Sequence, residues 1–217
     1  MRRHQLSPDL ISKNSSELAL ETRRRFKSQT LRARDALSIL STNFIKVEAE
    51  PRSPLRNARL LLTSRHYNHL FAQQLLAERG LLVDAINASR AGVETITWYW
   101  LLCLEPGAAI DYFQESKRPA PVEIRKRLEI LGADVNAIRE DYSLKSDVAH
   151  VGGKSEGLVV QWGSDDSGNV HLGGTPNDTL QPLLIENLAV SVAQFLRYDS
   201  NWEVTPRDGG YRVERRH

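Results

Sequence analysis

Leu81-Leu-Val-Asp-Ala-Ile-Asn-Ala-Ser-Arg90-Ala-Gly-Val-Glu94-Thr-Ile-Thr-Trp98-Tyr-Trp100-Leu-Leu-Cys103-Leu104 is the most apolar stretch of the chain, and the remainder has to be arranged around it. It holds no proline and has the length of a helix, not of a strand. Its second half, from Ile96 onward, is apolar almost all round, which predicts a central, buried helix with neighbours on every side. Glu105-Pro106-Gly107 then stops it. The run from Ile96 to Leu104 falls far short of the roughly 18–20 apolar residues that span a bilayer.

Upstream, about Ser15 to Val47 reads as one long helix with Asn14-Ser15-Ser16-Glu17 as its cap, and Glu50-Pro51-Arg52-Ser53-Pro54 breaks it. A second helix, about Leu55 to Arg79, ends at Gly80. Downstream, shorter helices are expected over about 108–116, 121–131 and 134–150, Pro121 suiting a first helical turn. Leu158–Trp162 and Val170–Leu172, flanking a Gly-Ser-Asp-Asp-Ser-Gly-Asn turn, read as a β-hairpin insertion within residues 157–173. A last long helix ends near Tyr198, and residues 200–217 read as a loose tail with a short strand at Tyr211–Val213. The expected class is mainly α: one helical bundle spanning 1–217, with residues 1–47 as a basic N-terminal helix or arm.

Charge is uneven. Residues 1–34 carry nine Lys/Arg against three Asp/Glu, whereas 35–199 carry sixteen against twenty-one. Arg23, Arg24, Arg25, Lys27, Arg32 and Arg34 would attract RNA without regard to sequence, or an acidic protein. A solvated helix face is the plainer reading. One cysteine excludes an internal disulfide framework and a cysteine-built zinc cage. The N-terminus lacks the apolar segment of a secretory signal, so a cytoplasmic protein is expected.

The chemistry-bearing residues fall on two helices. Arg90 and Glu94 sit four apart on the apolar helix, where an unpartnered charge would be costly. Tyr142, Ser146 and His150 recur every four residues, and each such step turns a helix by only about 40°, so they form one stripe ending at Gly152-Gly153. The two sets are expected to meet. At a helix C-terminus and one turn from Asp147, His150 would favour its protonated form, as a general acid needs. The alternatives are a histidine that caps the helix and a ligand pocket.

An Arg-x-x-x-Glu on a central apolar helix, followed by Tyr142-x-x-x-Ser146-x-x-x-His150, resembles the HEPN-like group of helical prokaryotic proteins over roughly residues 81–153. That resemblance implies a bundle of four or five helices, often a homodimer, tied to toxin–antitoxin and phage-defence systems. In active members an Arg-x(4–6)-His motif cleaves RNA without a metal, histidine acting as acid/base and arginine holding the phosphate. At the three arginine positions this chain has Lys145, Leu144 and Ser143; lysine holds phosphate as a point charge rather than as a fork. The implied catalytic set is His150 with Lys145 or Arg90, oriented by Tyr142, Ser146 and Glu94. The implied partners are RNA, a protein such as an antitoxin or defence-system component, and a second copy of the chain. No cofactor, metal or membrane is called for. The competing expectation is a non-catalytic interaction or ligand-binding module in which the same cluster is structural.

Other features read more plainly. His66 and His69 have a metal-compatible spacing, but surface positions on a helix explain them. Cys103 is expected to be a core thiol, and Trp98 and Trp100 to be core rather than a stacking platform. Gly152-Gly153-Lys154-Ser155 lacks the strand and upstream glycine of a phosphate loop, and Asp165–Asn169 lacks the distal glutamate of a calcium loop.

Overall fold

Eight helices and two short hairpins make up the parts of the chain described by a computed structural model, namely residues 8–114, 118–149, 160–162, 168–170, 174, 176–207 and 210–216. The helices are α1 (Pro8–Arg25), α2 (Lys27–Ala49), α3 (Pro54–Glu78), α4 (Leu82–Leu104), α5 (Ala108–Phe113), α6 (Pro121–Ile130), α7 (Asn136–Ala149) and α8 (Leu180–Leu196). The mainly α class is as expected.

α4 is the hub, with α3, α6, α7 and α8 packed around it. Ile96, Tyr99, Trp100, Leu101 and Leu102 are essentially inaccessible. Local sequence sets the boundaries. Ser53 caps α3 by accepting from the Arg56 amide at 3.1 Å, and Pro54 occupies the first helical position. Gly80, at φ +69°, ends α3: Leu81 N–H donates to the Leu76 carbonyl and Gly80 N–H to Ala77. Gly132, at φ +80°, ends α6 with the same bonding, from Ala133 to Leu128 and from Gly132 to Glu129. The turn at Gly80 returns the chain tightly enough for α3 and α4 to pack as neighbours, whereas α6 and α7 on either side of Gly132 each pack against α4.

Two expectations fail. The long first helix is in fact two, parted at Phe26, whose φ of −108° and ψ of 45° leave the helical region. No proline or glycine marks this bend. Arg23 and Arg25, ion-paired to Glu78 and Asp178, hold α1 to other parts of the fold. Asn14, Ser15 and Ser16 lie inside α1 instead of capping it, and the Ser16 hydroxyl turns back to the Ser12 carbonyl at 2.9 Å.

The second is the tail, expected to be loose: its expected strand at Tyr211–Val213 is present within β4 (Gly210–Arg215), but it pairs antiparallel with β3 (Trp202–Arg207). Trp202 is 5% exposed, and its indole N–H donates to Asn43 Oδ1 at 2.8 Å. Beside it a buried polar network ties α2, α3 and α4 to the end of α8. Arg59 Nη2 donates to Asp199 Oδ2 at 2.8 Å, Tyr99 donates to the same oxygen at 2.5 Å, and Asn43 Nδ2 donates to Tyr99 at 3.0 Å. Arg59 Nη1 also bonds both Glu50 carboxylate oxygens. The insertion hairpin is present as β1 (Val160–Trp162) paired antiparallel with β2 (Gly168–Val170).

A candidate anion-binding cleft

The apolar periodicity of α4 turns Arg90 and Glu94 away from the core, and α7 packs across that face. Arg90 Nη2 donates to the Tyr142 hydroxyl at 3.0 Å, and the hydroxyl in turn lies 3.5 Å from Glu94 Oε1. The guanidinium groups of Arg90 and Arg125 stand 5.1 and 5.5 Å from the Tyr142 ring centre. The expected meeting of Arg90, Glu94 and Tyr142 therefore occurs, with the phenol bridging the two charges. Ser146 is half-buried one turn further along α7, and His150 lies outside the described residues.

Lys145 takes no part in this cluster. It is buried, and its Nζ sits 2.5 Å from Asp141 Oδ2 one turn back. Burial lowers its pKa, against the pull of that carboxylate. A phosphate-holding role for Lys145 would require leaving both its burial and its partner.

Glu94 also forms part of a second feature that the sequence did not announce. A cleft of about 460 Å³ opens between α3, α4 and the segment leading into α6. Arg65 and His69 line it from one face of α3, Glu94, Thr95 and Trp98 from α4, and Arg118 from the segment before α6. Pro119 and Pro121 restrict the backbone beside Arg118, whose guanidinium lies 5.5 Å from the Trp98 ring centre and 5.1 Å from that of Tyr112. Arg65 and Arg118 are exposed and make no ion pair among the described residues. Glu94 is the one carboxylate among the described lining residues, so the cleft carries two permanent positive charges against one negative.

His69 is half-buried here. Burial and then the neighbouring Arg65 lower its pKa, while Glu94 pulls the other way. His66, one turn back, is a correction to the surface reading: it is fully buried and stacks on Phe195 at a centroid distance of 4.4 Å. Its Nδ1 lies 2.9 Å from Thr95 Oγ1, whose own proton goes to the Gly92 carbonyl at 2.6 Å. With the Thr95 proton so used, Nδ1 is suited to donate to Thr95, while Nε2 lies 3.4 Å from Ser191 Oγ. Burial is the first cause that pushes this ring down to a pKa of about 3, so it is neutral at ordinary pH. With His66 committed inward, the two histidines do not form a metal pair. No group of three or more metal-ligating side chains occurs among the described residues.

Half of the six cations of the basic arm are stitched to the body. Arg23 pairs with the buried Glu78 at 2.6 Å, Arg25 with Asp178 at 2.5 Å and Arg32 with Glu186 at 2.6 Å. Arg24, Lys27 and Arg34 are exposed and make no ion pair among the described residues. Cys103 is packed against the core, where burial raises its pKa and suppresses the thiolate. Trp98 and Trp100 are core, as expected, although Trp98 also floors the cleft. No described helix is long and apolar enough to cross a membrane.

No family model, curated protein or solved structure matches this chain.

Proposed function

We propose that this chain is a HEPN-like helical binding module that takes RNA, with one phosphate-bearing nucleotide seated in the cleft between α3, α4 and α6. The reading rests on one observation above all: Arg65 and Arg118 line one cleft with their charges unpaired among the described residues, and His69, which feels both Arg65 and Glu94, lines it with them. Guanidinium groups suit phosphate because their planar forks donate two parallel hydrogen bonds. A volume of about 460 Å³ lies within the range of small-molecule pockets, roughly 300–1,000 Å³. The exposed cations Arg24, Lys27 and Arg34 would extend the attraction along a longer strand.

Binding is favoured over cleavage by what has become of the expected catalytic cations. Lys145 is buried against Asp141, and Arg90 is engaged by Tyr142. A nuclease centred on His150 would have to release one of them. Prokaryotic stress or phage defence is the setting that the HEPN-like resemblance suggests for such a module.

The test is to titrate a labelled single-stranded RNA into the protein over a range of salt, then recover the RNA and measure its length. A binding module gives a saturable isotherm whose log–log salt slope is near −3.5, about 0.7 for each of the five cations Arg65, Arg118, Arg24, Lys27 and Arg34, and returns the RNA intact. RNA shortened without added metal would favour the nuclease instead. No binding at low salt would remove RNA as the ligand.

A further inference from the structure

We propose that the cleft takes the phosphorylated end of an RNA strand, a terminal phosphate monoester and not a phosphodiester within the chain. This specificity rests on the reading of the cleft as an RNA site and names the part of the strand that enters it. Charge is its first ground. Glu94, the carboxylate among the described lining residues, is offset by Arg90: the Tyr142 hydroxyl lies 3.0 Å from Arg90 Nη2 and 3.5 Å from Glu94 Oε1. Arg65 and Arg118 are exposed and make no ion pair among the described residues, so two positive charges are left for a ligand. An internal diester carries one negative charge, whereas a terminal monoester carries close to two at pH 7. The monoester answers both guanidinium groups, and a diester leaves one of them unanswered.

The donors that the cleft offers point the same way. Thr95 gives its hydroxyl proton to the Gly92 carbonyl at 2.6 Å, and Thr97 gives its own to the Glu94 carbonyl at 2.9 Å. Pro119 and Pro121 have no backbone N–H. Trp98 is buried with Arg118 over its ring, so it presents no open face on which a base could stack. Such a lining reads charge more than it reads a base edge. A monoester presents three terminal oxygens to Arg65, Arg118 and His69, and a diester two.

Shape agrees with charge. Leu62, Thr95, Trp98 and Ile124 line the cleft and are all buried, so its floor lies against the core. Its volume of about 460 Å³ is that of a pocket for one small molecule. A chain end can enter such a recess with a single neighbour trailing out, whereas an internal phosphate brings a nucleotide on either side. The exposed Arg24, Lys27 and Arg34 attract every RNA alike, whatever its ends.

The experiment measures the affinity of the full chain for one labelled oligoribonucleotide bearing a 5′-phosphate, a 3′-phosphate or hydroxyls at both ends. It is run at fixed ionic strength and about pH 7.5, above the monoester's second pKa of about 6. A phosphorylated form is expected to bind about tenfold more tightly than the hydroxyl form, and the arm that does so identifies the end. Arg65→Gln and Arg118→Gln should each shrink that ratio, and the double variant should abolish it while melting as wild type does. Arg24→Gln/Lys27→Gln/Arg34→Gln should weaken all three RNAs and leave the ratio unchanged. Equal affinity of wild type for the three RNAs would overturn the end preference and leave the cleft an RNA site. A ratio that survives loss of both arginines would overturn it too, by placing the end elsewhere. No binding of any of the three would remove RNA itself as the ligand, and the end preference with it.

Discussion

Arg118 stands over the indole of Trp98, 5.5 Å from the ring centre, and lines the same cleft as Arg65 without a carboxylate of its own to pair with among the described residues. This relationship between a loop arginine and a core tryptophan makes the cleft cationic. The Trp98 side chain is held by core packing, and the loop cation rests on it.

Anion binding should depend on His69. In the free protein its pKa is lowered by burial and by Arg65, so the ring is neutral at pH 7 and above. A bound phosphate favours the protonated ring, so the complex takes up a proton that the free protein does not hold. Affinity is then expected to rise as pH falls through the pKa of the complexed ring and to level off below that of the free ring, which lies under the ordinary histidine value. His69→Gln should flatten that rise, measured as binding constants at several pH values and fixed ionic strength.

Lys145→Met should leave RNA affinity within about twofold of wild type, because the amine faces Asp141 and the interior, away from the cleft. Asp141 retains access to water through a side chain that is 24% exposed. Loss of RNA binding in a folded Lys145→Met protein would return Lys145 to the site.

Stability should fall with acid through His66. Its folded pKa of about 3 lies below the unfolded value of about 6.5, so the unfolded chain binds the extra proton. Its contribution is fully present above about pH 6.5 and is lost as pH drops towards about 3, at a rate approaching 1.4 kcal/mol per pH unit, roughly. Urea unfolding at several pH values should show this slope, and His66→Gln should reduce it.

Asp199→Ala should cost about 3–5 kcal/mol, since it leaves the buried Arg59 without one of its two carboxylates and Tyr99 without an acceptor. Asp199→Asn should cost less, because the amide oxygen still accepts. Denaturant unfolding of the two variants measures the difference.

The parts of this fold that could be read in the sequence were those governed by a single local pattern. The apolar run of α4 announced its central place, and Gly80 announced the end of α3. Arg90, Glu94 and Tyr142 could be brought together because a four-residue spacing fixes a helix face. The bend at Phe26 has no such signature, since its arginine partners Glu78 and Asp178 lie far along the chain. Of the C-terminal hairpin only the strand at Tyr211–Val213 was legible, because its partner Trp202-Glu-Val-Thr-Pro-Arg is short and mostly polar, and its docking depends on Asn43. The cleft was missed for a related reason: α3, α4 and the segment before α6 each supply part of it. Arg65 and His69, four apart on one face of α3, were the available signal.

The most direct measurement is the affinity of a single-stranded RNA for wild type beside the Arg65→Ala/Arg118→Ala double variant at low salt, with melting curves taken on both. Cleft binding predicts a loss of roughly a hundredfold, about tenfold per arginine–phosphate contact, in a variant that melts as wild type does. Equal affinity in the two proteins would contradict it and place any RNA contact elsewhere on the molecule.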